Sequence, residues 1–198
     1  WFNGHRIPEN TDISRHGNTP FPTSYFSAAS RYDYFGSYDE STGGGVVHVA
    51  DHHISPGKKM FTWAYDQLAR TWEKALTDTD GPYLELMAGS YSDNQPDLSW
   101  LAPYEEKRFS QYWYPISDTG VPCFANLDMA VSVHSDRVVI RPTGSFADCE
   151  ITVSDENREI SREKTSLDVL CNHIIELTGD VVGEAVLLGQ VAGDLHGL

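Results

Sequence analysis

One ionised side chain, Glu85, interrupts the apolar stretch at residues 82–89. Alternate side chains of a strand face opposite ways, so Tyr83, Glu85 and Met87 share one face and Leu84, Leu86 and Ala88 the other. A bare carboxylate is costly to bury unless it is paired or hydrogen-bonded. Glu85 therefore either meets solvent or an arginine, or lines a pocket between an aromatic ring and a thioether. Residues 89–103 follow with turn formers, amides and flat rings, among them Tyr91, Asp93, Asn94, Gln95 and Trp100. That mixture suits a ligand with many hydroxyls, such as a sugar or glycan; an ordinary hairpin loop is the alternative. Trp63 is expected near the same cleft. Upstream, the alternation of residues 45–53 puts His48 and His52 on one face. Two imidazoles at that spacing suit a metal, but no third ligand is supplied nearby. They read instead as polar cleft residues or surface histidines, and neither a metal nor a cofactor is expected.

Strands are predicted where these residues need support: residues 31–38, 45–53, 58–63, 83–88 and 107–114. Between the third and fourth, Tyr65, Leu68, Ala69, Trp72 and Leu76 fall at helical spacing, predicting a short amphipathic helix whose stripe enters a core. The turn at Thr79-Asp80-Gly81-Pro82 delivers the chain into the Glu85 strand. Residues 1–30, broken by Pro8, Gly17, Pro20 and Pro22, predict a long ordered loop.

All five Trp and all ten Tyr precede residue 115; beyond it the chain is rich in Val, Ile, Asp and Glu. So abrupt a change predicts two folding units, residues 1–116 and 123–198, joined by a linker at 117–122. The second carries short strands at 130–134, 137–141, 149–153, 167–170, 173–177 and 185–191, with a polar stretch at 159–166. This predicts a small β-sandwich of immunoglobulin-like type. Its His134 and His173 are isolated and read as surface residues.

The 198 residues carry 14 Lys+Arg against 29 Asp+Glu, a formal net charge of −15. Such a field repels phosphate backbones and argues against nucleic-acid binding. No apolar run reaches membrane-spanning length. Cys123, Cys149 and Cys171 lack metal-ligand spacing; they read as free, buried thiols of an intracellular, cytoplasmic protein, a Cys149–Cys171 bridge being the alternative. The chain opens at Trp1 without an initiator Met, which reads as a piece of a longer protein. An exposed sheet edge would favour a homodimer.

Tyr83-Leu84-Glu85-Leu86, then Ser92-Asp93-Asn94-Gln95-Pro96, then residues 101–109 from Leu101-Ala102-Pro103-Tyr104-Glu105 onward resemble the closing strands of the galactose mutarotase (aldose 1-epimerase) superfamily. That superfamily has a Leu-Glu strand, a polar Pro-Asp/Asn loop and a Leu-x-Pro-Gly-Glu turn. Residues 54–63, from Ile54-Ser55-Pro56-Gly57 to Thr62-Trp63, resemble its Pro-Gly-x-x-x-Tyr-Thr segment. Residues 31–116 are most similar to an uncharacterised bacterial family of mutarotase-like domains often found before tetratricopeptide repeats, through 48–63, 76–85 and Gln111-Tyr112-Trp113-Tyr114-Pro115.

The resemblance implies a partial antiparallel sandwich that holds sugar on a concave face, followed by a smaller β-sandwich. It also implies Glu85 as general base, taking the proton of an anomeric hydroxyl while a histidine protonates the ring oxygen. The half of the fold that carries the family's catalytic histidines is absent here, and His48, His52 and His53 do not match those positions. Tyr104 stands where the family has Gly. Two readings follow: a carbohydrate-active domain, epimerase-like or glycan-processing in a longer parent, and a non-catalytic sugar-binding or assembly module, this piece alone being inactive.

Overall fold

The computed structural model describes residues 11–93, 97–154, 158–169 and 171–177, and the backbone of Val186–Gln190. The chain is mainly β, with 44% strand and 8% helix, in antiparallel sheets. Its elements are β1 (Thr23–Ser27), β2 (Tyr34–Asp39), β3 (Gly44–Val49), β4 (Gly57–Thr62), α1 (Gln67–Leu76), β5 (Leu84–Gly89), β6 (Tyr112–Ser117), β7 (Phe124–Ala125), β8 (Met129–Val133), β9 (Arg137–Pro142), β10 (Phe146–Ser154), β11 (Glu159–Leu167), β12 (His173–Glu176) and β13 (Val186–Gln190). They form two compact units, Trp1–Arg31 with His52–Phe109, and Tyr32–Asp51 with Ser110–Leu198. Among the described residues, no helix is long and apolar enough to cross a membrane.

The first unit is built on a three-stranded sheet in the order β1-β4-β5. Phe61 lies opposite Glu85, Lys59 opposite Met87 and Met60 opposite Leu86. The alternation read from the sequence is therefore realised, with Glu85 and Met87 on one side and Leu84, Leu86 and Ala88 on the other. The hydrocarbon side is thinly covered, however: Leu84 is exposed and Leu86 and Ala88 are half-buried, because one small sheet and one helix cannot enclose it. Lys58 is buried in that side and donates through Nζ to Ser30 Oγ at 3.0 Å. Helix α1 begins at the cap Asp66, whose carboxylate accepts from the Ala69 amide at 2.8 Å. Its stripe departs from expectation. Ala69 is buried, but Leu68, Trp72 and Leu76 are exposed, since a stripe facing a three-stranded sheet finds too little surface to cover it.

The second unit contains a β-sandwich. Sheet β12-β9-β8-β7 faces sheet β11-β10-β13 across Val131, Val138, Ile140, Cys149, Ile151, Val153, Leu167, Ile175 and Leu177. A further sheet, β2-β3-β6, closes a second cluster in which Val47, Val49 and Ile116 meet Ala125 and Ala130. Strand β6 starts five residues later than the alternation suggests and continues through Pro115 to Ser117. As the edge of its sheet it tolerates a proline that cannot donate to the ladder. Residues read as a linker are packed: Thr119 is buried, the Asp118 amide donates to Gly43 O at 2.7 Å, and His134 Nε2 bonds the Thr119 carbonyl at 3.0 Å. The units thus divide differently from the aromatic content, which breaks at residue 115. Cys149 is buried while Cys123 and Cys171 are exposed, and all three are free. This corrects both the buried reading of two of them and the alternative bridge.

Candidate functional site

The candidate site lies in the first unit, on the sheet face that carries Glu85. Strand alternation fixes its members two by two. Phe61 and Glu85 are direct partners in the β4–β5 ladder, so their side chains stand side by side. Tyr83, two residues before Glu85, has its pKa raised by desolvation first and by the Glu85 charge second. Among the described residues no cation lies within ion-pair distance of Glu85. Glu85 is half-buried, with a ring opposite it rather than a guanidinium that would neutralise it. One face thus offers a charged acceptor with lone pairs to spare beside aromatic carbon.

Just past the end of β4, the Trp63 ring meets the Phe61 ring edge-on, with centroids 5.0 Å apart and planes at 90°. Its other neighbour is Trp72 of α1, stacked nearly parallel at 4.8 Å and 11°. The Asp66 cap and the buried Ala64 and Ala69 anchor the turn and the helix that bring Trp72 over Trp63. The Trp63 indole nitrogen is buried without a hydrogen-bond partner. Trp63, expected to contact ligand, is thus enclosed by rings. The ring with a free face is Trp72, which the helical stripe had suggested would be buried. Only its neighbour across space distinguishes the two, and no local pattern reports that.

The other expected site residues separate. Tyr91 has a left-handed backbone (φ 64°). Its amide donates to Ile54 O at 2.7 Å, its hydroxyl to Arg108 O, and its ring meets Phe109 edge-on. It clasps two chain segments, so its hydroxyl is committed to backbone. Trp100 is 83% exposed; the segment under it is pinned by Lys107 Nζ, which donates to Ser99 Oγ and Trp100 O, each at 2.7 Å. Asn94 lies outside the described residues. His52 sits in the turn after β3, its ring 3.8 Å from that of His53; with Asp51 beside them, three potential ligand atoms lie within 4.8 Å of one another.

His48 belongs to the second unit and is fully buried, clamped between Phe35 at 4.9 Å and Trp113 at 4.7 Å. The shared face expected for His48 and His52 does not form. The ladder of β3 ends at Val49, the Ala50 amide turns to Asp33 O at 2.8 Å, and the chain enters a turn. A ligand-binding role for His48 is set aside on this packing.

Fold and face together define a mainly β protein with a carboxylate set among aromatic rings. Residues 9–116, more than half of the chain, match the family described as Domain of unknown function (DUF5107), and the chain belongs to that family. No solved structure matches the chain.

Proposed function

We propose that the first unit binds carbohydrate on the face that carries Glu85, with the Glu85 carboxylate accepting from sugar hydroxyls. The observation that carries this reading is the placement of the Glu85 carboxylate directly opposite Phe61, whose ring meets that of Trp63, on one side of a small sheet. Sugars present hydroxyls at their rims and C–H groups on their faces, and a few placed polar groups among aromatic surface suit both. The resemblance to mutarotases supports the same ligand class.

In a longer parent, Glu85 is the candidate base for epimerase-like or glycan-processing chemistry; in this chain it is a ligand anchor. The test is titration of glucose, galactose and short glycans against tryptophan fluorescence, with two variants. Glu85→Gln keeps an acceptor oxygen and should retain affinity within about tenfold, about 1.4 kcal/mol. Glu85→Ala removes a charged hydrogen-bond acceptor and should lose more than that. Equal binding by wild type and Glu85→Ala would remove Glu85 from recognition.

A further inference from the structure

The ring with an open face next to this site is Trp72, and its relation to Glu85 bears on ligand size; the inference rests on the carbohydrate reading above. Trp63 is taken up by packing, with one face under Trp72, contact with the Phe61 ring, and a buried indole nitrogen. Trp72 is 42% exposed, although its stacking partner fixes the plane in which it lies. A large aromatic side chain held in a set orientation by a second ring, yet left half in water, is preorganised for a contact. Leu68 and Leu76, one turn to either side on α1, are exposed as well, so the open area is wider than a single ring.

Separation then decides the ligand. Phe61 stands opposite Glu85, and Trp63 lies two residues further along the chain, just past the end of β4, roughly 7 Å away at the rise of extended backbone. Trp63 is interposed between Phe61 and Trp72. A single pyranose on Glu85 packs against Phe61, and the indole of Trp63 keeps it off the outer face of Trp72. A second, linked pyranose reaches that face. We infer that Trp72 is a specificity-determining platform for a second sugar ring, and that the ligand is an oligosaccharide of at least two pyranose units rather than a free monosaccharide.

The test compares glucose and galactose with lactose, cellotetraose and maltotetraose, by calorimetric titration of the whole chain, in wild type, Trp72→Ala and Trp72→Tyr. At least one of the longer sugars should bind wild type tenfold or more tightly than either monosaccharide. Trp72→Ala should abolish that preference and leave monosaccharide affinity within about twofold, while Trp72→Tyr, which keeps a ring, should restore most of it. Circular dichroism shows whether each variant is folded, and the tyrosine variant carries the comparison should the alanine one unfold. An unchanged preference in a folded variant without its tryptophan, or equal affinity of wild type for short and long sugars, overturns the platform and leaves the Glu85 site standing. Absence of binding by every sugar overturns the carbohydrate reading, and the platform with it.

Discussion

Tyr83 and Glu85 form the smallest polar unit of the site, two residues apart at the entry to β5, the Glu85 charge adding to desolvation in raising the Tyr83 pKa. The phenol is a second hydrogen-bonding group for a sugar beside the carboxylate. Tyr83→Phe should therefore leave the fold intact, with stability within about 0.5 kcal/mol of wild type, and weaken sugar affinity by about fivefold, the contribution of one hydrogen bond. Undiminished affinity in that variant would show that its hydroxyl takes no part in recognition. The face that Glu85 occupies was legible in the sequence because a strand's period of two fixes which neighbours share a face. The fate of His48 was not. Alternation carried through residue 53 joined it to His52, whereas the strand stops at Val49 and rings from two partner strands close over His48. Where a strand ends depends on hydrogen bonds to distant segments, which local alternation does not encode. Tyr104 illustrates the opposite case. It stands where the resembling family has Gly, and at a φ of 66° its backbone takes the left-handed form that glycine adopts without strain.

Among elements, the β4–β5 pair positions the site, and its tightest point is Gly57. A Cβ there would run into the Asp93 carbonyl oxygen and meet Gly89 Cα at 2.9 Å, all backbone, so neither side can yield cheaply. Gly57→Ala should destabilise the first unit by about 1–3 kcal/mol, the usual cost of overpacking, and shift the loop that carries Tyr91. Chemical denaturation followed by tryptophan fluorescence measures this, and a neutral substitution would show that the loop is not fastened there. Strands with clean alternation, β3, β5, β8 and β9, were readable within a few residues. Strand β11 was not, because an edge strand can be almost wholly polar. Arg162 on it pairs with Glu159 and reaches across to Glu150 at 2.5 Å, so charges replace the apolar residues that usually betray a strand. Helix α1 was found by its period, but period alone reports which residues share a stripe, not whether anything covers it.

At the scale of the whole molecule, the second unit holds both clusters of buried apolar side chains found among the described residues. Tyr114 stitches sheet to sandwich within it, its hydroxyl donating to Asn126 O at 3.0 Å and Met129 O at 3.1 Å. Burial above all, and Asp128 secondarily, raise its pKa. An unfolded tyrosine loses its proton near about pH 10, whereas the folded one keeps it to higher pH. The unfolded state then binds fewer protons, so this contribution is complete below about pH 10 and declines as pH rises further. Tyr114→Phe should cost about 1–2 kcal/mol at neutral pH and make the alkaline fall in stability shallower. Thermal melts from about pH 8 to about pH 11, which bracket the ordinary tyrosine range, record that slope. An alkaline limb as steep as that of wild type would contradict the assignment. The composition break at residue 115 exposed the existence of two units but not their membership. Strand β3 precedes the break yet pairs with β6, beyond the first unit's last residue, and β2 joins the same sheet through β3; such long-range pairing leaves no mark on local composition.

The central claim is that Glu85 and its rings hold a sugar. Proton–nitrogen NMR of the whole chain during titration with galactose, lactose and cellotetraose tests it most directly. The account predicts saturable shifts at the amides of β5 with each sugar that binds, and at the indole signal of Trp72 with the longer sugars, all lost in Glu85→Ala. Saturable shifts confined to other residues, or spectra that no sugar changes, would contradict it.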